Sequence, residues 1–225
     1  MGDGAGAGGG QAPVGTRTVR VDTVAYRGVS GLRPLWWTPN LGHGRWHGAG
    51  QPLPVQYLCT HPMGPLAEQA RHAGVHTAAG LRQLRRSVFA LRIRLDGVLE
   101  LDFSAAAALG LDPDAVVGPP AAYPVCSAWL GRLLRSSSEI QGLLVPSAAL
   151  PGTETLVVVG KRHPFPYLAT PRRAADVPCA ALGLDAHAVT SLAGVVRPLE
   201  AVAHPGLDAW RAGRDQVFAQ PPAAA

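Results

Sequence analysis

The sequence predicts an α+β domain built on a mixed, twisted sheet with peripheral helices. Strand-like segments outnumber helical ones, and the helical ones fall between strands rather than in a block. At 225 residues and 47% hydrophobic content, the chain can bury one sizeable core. No apolar run approaches the roughly 20 residues that cross a bilayer.

Taken in order, residues 1–15 are rich in Gly and Ala and read as a disordered tail. Their Gly-x-Gly pattern has no strand before it and no helix after it, so it is not a phosphate-cradling loop. Thr18 to Val29 reads as a strand from the alternation of Val19 and Val21. Gly31 to Gly50 is a Gly- and Pro-rich loop carrying Trp36, Trp37 and Trp46. Leu53 to Cys59 is a strand. Pro62 to Ala73 is a helix, with Pro65 in its first turn and Leu66 and Ala70 on one face.

Ser87 to Leu95 is a strand, and Asp96-Gly97 signals a turn into a second strand, Gly97 to Phe103. Ser104 is the expected cap of an Ala-rich helix that stops at Gly110. Tyr123 to Arg135 has helical spacing. Ile140 to Val145 and Thr155 to Val159 are buried-strand runs separated by the Pro151-Gly152 turn. Weaker elements follow at Val177 to Leu184, Gly194 to Ala203 and Pro205 to Arg214, and Gln220 to Ala225 reads as a frayed tail. The expected organisation is a tail over 1–15, a domain over 16–163 and a C-terminal extension over 164–225 packed on that domain.

Composition narrows the function classes. The N-terminus lacks a basic-then-apolar leader, which predicts a cytoplasmic protein with no membrane partner. Cys59, Cys126 and Cys179 are far apart and odd in number, suiting a reducing compartment and no zinc ribbon. Net charge is +5, and every cation except Lys161 is Arg, the better fork for phosphate and carboxylate. Arg82, Arg85, Arg86, Arg92 and Arg94 form the densest basic stretch. It lacks interleaved aromatics and argues only weakly for direct nucleic-acid binding. His43 and His47 are four apart, as are His72 and His76, but neither pair has the setting of a metal site, and no metal is expected.

Arg27, Arg45, Tyr57, Glu68 and Ser147 lie at the ends or middles of apolar segments, where a fold can hold polar groups in a cleft. Each also has an ordinary reading. Glu68 serves a helix dipole, and Tyr57 is a half-buried strand aromatic. Arg45 pairs with Trp46 at the surface, Arg27 guards a sheet edge, and Ser147 turns the chain after Pro146.

The order of these segments resembles the RES domain, a family named for its Arg, Glu and Ser. The resemblance runs roughly from Val19 to Arg162. It rests on Ala25-Tyr26-Arg27, Gly42-His43-Gly44-Arg45-Trp46, Pro54-Val55-Gln56-Tyr57-Leu58, Leu66-Ala67-Glu68, Val98-Leu99-Glu100-Leu101-Asp102 and Gly142 to Ala148. His43 and His47 depart from the Gly-Gly-Arg-Trp-Asn that the family favours.

The resemblance implies a two-sheet core like that of ADP-ribosyltransferases, and an enzyme that destroys NAD by cleaving its nicotinamide–ribose bond. Water as acceptor makes it a glycohydrolase, phosphate a phosphorylase and a protein side chain an ADP-ribosyltransferase. A non-catalytic nucleotide- or protein-binding module is the alternative. Glu68, Arg45 and Tyr57 are the implied catalytic residues, and Tyr26, Arg27, Trp46 and Ser147 the implied NAD contacts. NAD enters as substrate, with no cofactor and no metal. The family's toxin role implies an antitoxin of Xre or helix-turn-helix type, which would supply any link to nucleic acid. A second copy of the chain is a further candidate partner.

Overall fold

The computed structural model describes residues 17–29, 43–48, 53–84, 87–160, 179–182 and 192–214. The expected tails over 1–15 and 220–225 lie outside them. The strands are β1 (Thr18–Val29), β2 (Val55–Cys59), β3 (Ser87–Glu100), β4 (Gly142–Pro146), β5 (Glu154–Val159) and β6 (Cys179–Leu182). The helices are α1 (Gly64–Ala73), α2 (Ala78–Gln83), α3 (Phe103–Ala108), α4 (Pro113–Val117), α5 (Tyr123–Ser136) and α6 (Pro205–Arg211).

The strands run in the order β1-β2-β5-β4-β3-β6, and β1 also pairs with β3. The pairings therefore return on themselves and close a ring of β1, β2, β5, β4 and β3. All are antiparallel except β3 with β4. Two separate sheets were expected, and the hydrogen bonding instead joins them. Long ladders hold β1 to β3, and β2 to β5 to β4. Short seams connect the two groups: Tyr26 opposite Cys59, and Val98–Glu100 beside Gly142–Leu144. Beyond Tyr26, β1 and β2 diverge, and the ring opens there.

Strand alternation sorts side chains onto two sides of the ring. Ala25, Leu58, Phe89, Leu91, Ile93, Leu95, Val98, Leu156 and Val158 fill its interior. Burying each of the larger ones contributes roughly 1.5–3 kcal/mol. Val55, Tyr57, Leu143, Val145, Val157 and Val159 face outward, against Phe103 of α3, Val116 of α4 and Trp129 and Leu130 of α5. A third cluster seats Leu66, Ala67 and Ala70 of α1 and Leu81 of α2 on Ala149, Leu150, Leu192 and Val196.

Asp96-Gly97 is not a turn. β3 runs straight through it, and the pairing slips so that Val19 faces Val98 while Val21 faces Leu95. The dipeptide is a β-bulge opposite Arg20, which carries the inward side chains from odd positions (Leu91, Ile93, Leu95) to Val98. Tertiary contact decides this. Gln141 Oε1 accepts from the Asp96 N–H at 3.0 Å, and Gln141 N donates to Gly97 O at 2.7 Å. A Cβ at Gly97 would lie 2.0 Å from Glu139 O, so only glycine passes.

Other expectations are corrected locally. Asp102, not Ser104, caps α3 by accepting from the Ala105 N–H at 2.7 Å. Ser104 instead accepts from Trp210 Nε1 at 2.8 Å. The chain over 194–203 forms no strand or helix among the described residues. Arg92 and Arg94 pair with Asp22 across the exposed face of β1 and β3, at 2.5 and 3.2 Å. No described helix is long and apolar enough to cross a membrane.

Candidate active site

Two adjoining concavities open where β1 and β2 diverge. The larger, of about 620 Å³, takes Tyr26, Arg27 and Gln56 from β1 and β2, and Glu68, Gln69 and His72 from α1. The smaller, of about 370 Å³, takes Arg45, Trp46, Arg71 and Tyr123. His47, Tyr57, Cys59, Glu68 and His72 line both, so they form the wall between the two.

Glu68 reaches this wall because α1 starts at Gly64, with Pro65 at its beginning and Gly74 closing it at φ 67°. Glu68 therefore sits one turn inside the helix and not at its first turn, which removes the dipole as its explanation. His72, one turn on, lies 3.8 Å from its carboxylate. Leu66, Ala67 and Ala70 hold the opposite face of α1 in the core.

Tyr57 is tied down at its hydroxyl. That oxygen accepts from the Trp46 N–H at 2.9 Å and lies 3.0 Å from His47 Nδ1. The hydroxyl has a hydrogen to give and a second lone pair to receive with, so it can bond either tautomer of the His47 ring. Burial pushes the Tyr57 phenol up, against the Trp46 N–H and Arg45. Burial, with the nearby His43 charge, holds the His47 imidazole below its ordinary value. Both groups are neutral at pH 7. The His47 ring in turn covers Gly44, where a Cβ would lie 2.3 Å from Cε1.

Arg45 is 8% exposed and does not sit at the surface beside Trp46. Its terminal nitrogens donate to Ala115 O at 2.5 Å and Gly118 O at 2.7 Å, and its guanidinium lies 4.7 Å from the Tyr123 ring centre. Its two terminal nitrogens are thus engaged by carbonyls, and it offers the cleft charge rather than an open fork. Trp46 is buried edge-on against Trp129, 6.4 Å between rings.

Ser147 lines neither concavity. It is 2% exposed, its hydroxyl accepts from the Leu150 N–H at 3.1 Å, and its carbonyl lies 3.2 Å from His204 Nε2. The structure places it in the turn after Pro146, and its neighbours Pro146 and Ala148 line the smaller concavity.

Sequence reasoning missed Arg71 and Arg197. Arg71 is 1% exposed and donates to Ala148 O, Pro198 O and Leu199 O at 2.9, 2.8 and 3.0 Å. Arg197, from the C-terminal segment, donates to Ala148 O at 2.8 Å and Val117 O at 3.2 Å. The two interlock: the carbonyls after Arg197 hold Arg71, and both share Ala148 O. Burial lowers Arg71, partly opposed by Glu68; burial and then Arg71 bring Arg197 down to about 10. Both remain charged at pH 7. With Arg45 they make a buried positive floor satisfied by carbonyls. Arg71 stands three residues after Glu68, on the side of α1 that carries Ala67 and Ala70, and nothing in the local sequence marks it as buried.

Cys59 and Cys126 are buried thiols and not poised thiolates. Burial, then Glu68, pushes the Cys59 thiol well above its ordinary value, and burial raises Cys126 to about 11. No cluster of metal-ligating side chains occurs among the described residues.

No curated protein matches the chain. Among solved structures, it is similar to a chain of the M. tuberculosis MbcT–MbcA toxin–antitoxin complex, with a TM-score of 0.50 and 21% identity. That match covers 79% of this chain and 92% of the other, and shows a shared fold. The model of the RES domain matches residues 19–180, and the chain belongs to the RES domain family.

Proposed function

We propose that the protein degrades NAD by breaking the nicotinamide–ribose bond, as a glycohydrolase or phosphorylase, and acts as the toxin of a toxin–antitoxin pair. One observation carries the reading: Glu68 and Tyr57 stand on the wall shared by two concavities, above a buried arginine floor. A two-part nucleotide spans two concavities, and its pyrophosphate is drawn to buried positive charge. The similarity to a chain of a toxin–antitoxin complex and the RES domain membership support the toxin role.

Nicotinamide leaves neutral from a cationic ring, so no general acid is required. The transition state is oxocarbenium-like. The Glu68 carboxylate holds the ribose 2′-hydroxyl and stabilises the developing charge. The neutral Tyr57 ring, pinned by Trp46 and His47, presents a fixed face to the nicotinamide. Arg45 and Arg71 favour the pyrophosphate through charge, while Tyr26 and Arg27 contact the nucleotide from the larger side. Ser147 acts through the shape of its turn rather than by touching NAD.

An antitoxin of helix-turn-helix type would restrain the enzyme by covering the paired openings. Incubation of the protein with NAD, with and without phosphate, followed by product identification, tests the activity. Free nicotinamide with ADP-ribose indicates water as acceptor, and ADP-ribose 1″-phosphate indicates phosphate. Intact NAD in both arms rejects the reading and leaves the non-catalytic module. Transfer of ADP-ribose to protein is the remaining acceptor outcome.

A further inference from the structure

Gln56 sits where an apolar side chain belongs. By strand alternation it shares a side with Leu58, in the ring interior, and it pairs in register with Val158. It is 3% exposed, and neither its Oε1 nor its Nε2 has a hydrogen-bond partner among the described residues. Burying an amide unpaired is unfavourable, and such groups are uncommon in folded proteins. A Leu here would extend the cluster of Leu58, Leu156 and Val158. Gln56 lines the larger concavity, and so does Gln69, whose Oε1 is also buried without a partner. Two glutamines with unused hydrogen-bonding capacity thus line one cavity together with Glu68.

We infer that Gln56 is a specificity-determining residue that reads a planar ligand edge carrying a donor and an acceptor side by side. The inference rests on the NAD reading above, and NAD has two such edges: the nicotinamide carboxamide and the adenine N6/N7 edge. Either pairs with a glutamine amide through two hydrogen bonds. The ligand satisfies in the bound state what the free protein leaves unsatisfied, so Gln56 trades stability for recognition.

The test compares wild type with Gln56→Leu in two measurements. The first is kcat/KM for NAD, for its nicotinic acid analogue and for its hypoxanthine analogue. Wild type should favour NAD over one analogue by roughly tenfold to a hundredfold, and Gln56→Leu should bring that ratio close to one. Lost discrimination against the nicotinic acid analogue assigns Gln56 to the carboxamide; lost discrimination against the hypoxanthine analogue assigns it to adenine. The second measurement is thermal melting without ligand, in which Gln56→Leu should melt higher than wild type. Unchanged discrimination in an active Gln56→Leu protein overturns the inference and leaves NAD cleavage standing. A lower melting temperature, or failure to fold, also overturns it, because Gln56 would then serve the free protein. A wild type that does not cleave NAD overturns both readings together.

Discussion

The Tyr57 hydroxyl lies 3.0 Å from His47 Nδ1, across the wall that separates the two concavities. The turn carrying Arg45, Trp46 and His47 is thereby tied to β2 through one phenol oxygen. Burial holds the His47 imidazole in this contact below its ordinary value. Site geometry depends on this link.

Tyr57→Phe keeps the ring and removes the link. It leaves the Trp46 N–H and His47 Nδ1 without their partner, which should cost about 1–2 kcal/mol of stability. NAD turnover should fall less than in Tyr57→Ala, which also loses the stacking face and should raise KM. Denaturant unfolding together with steady-state kinetics checks both parts; equal KM in the two variants would reject stacking.

Glu68→Gln should lower NAD turnover by about a hundredfold or more, roughly 3 kcal/mol of barrier, with most NAD affinity retained. Its stability should change by less than about 0.5 kcal/mol, because the carboxylate is partly exposed and its His72 contact is loose at 3.8 Å. A folded Glu68→Gln protein turning over NAD at the parent rate would sink the catalytic role.

Arg71→Leu should destabilise the protein by about 3 kcal/mol or more, since it removes the donors to Pro198 O and Leu199 O and leaves Ala148 O to Arg197 alone. Lys should not rescue it, because one ammonium cannot replace a fork that reaches several carbonyls. The segment over 192–214 should become cleavable by protease before the rest of the domain. Uniform cleavage kinetics would deny that Arg71 is what docks it.

His204 is fully buried, and its Nδ1 accepts from the N–H groups of Gly206 and Leu207. Burial, with Arg197 second, brings its imidazole down to about 4, against about 6.5 in an unfolded chain. The unfolded state therefore takes up the proton first as pH falls. Stability from His204 is whole above about pH 6.5 and is lost progressively towards about pH 4, amounting to roughly 3 kcal/mol at most. Urea midpoints measured between about pH 7 and about pH 4.5 should show this loss. The loss should shrink in His204→Asn, which keeps a capping acceptor without a titrating ring.

Much of this molecule was legible as pattern. Alternation in Thr18–Val29 marked a strand with one buried face, and the continuous apolar runs ending at Val145 and Val159 marked strands buried on both. Spacing around Leu66 and Trp129 marked α1 and α5 in the same way. The ordered motifs carried Arg45, Tyr57 and Glu68, which the fold brings to one concavity. What pattern could not convey was settled by contacts between residues far apart in the chain. Asp96-Gly97 has the local chemistry of a turn, yet Gln141 and Glu139 hold it as a bulge inside one long strand. Ser104 has the chemistry of a cap, yet Asp102 takes that place and Trp210, from the far end of the chain, takes the serine hydroxyl. Ser147 lies in the right motif, but its hydroxyl turns inward to Leu150. Arg71 and Arg197 became visible only together, because a buried guanidinium is stable only where several carbonyls converge. That convergence is made by packing the C-terminal segment on α1, and no local sequence window contains it.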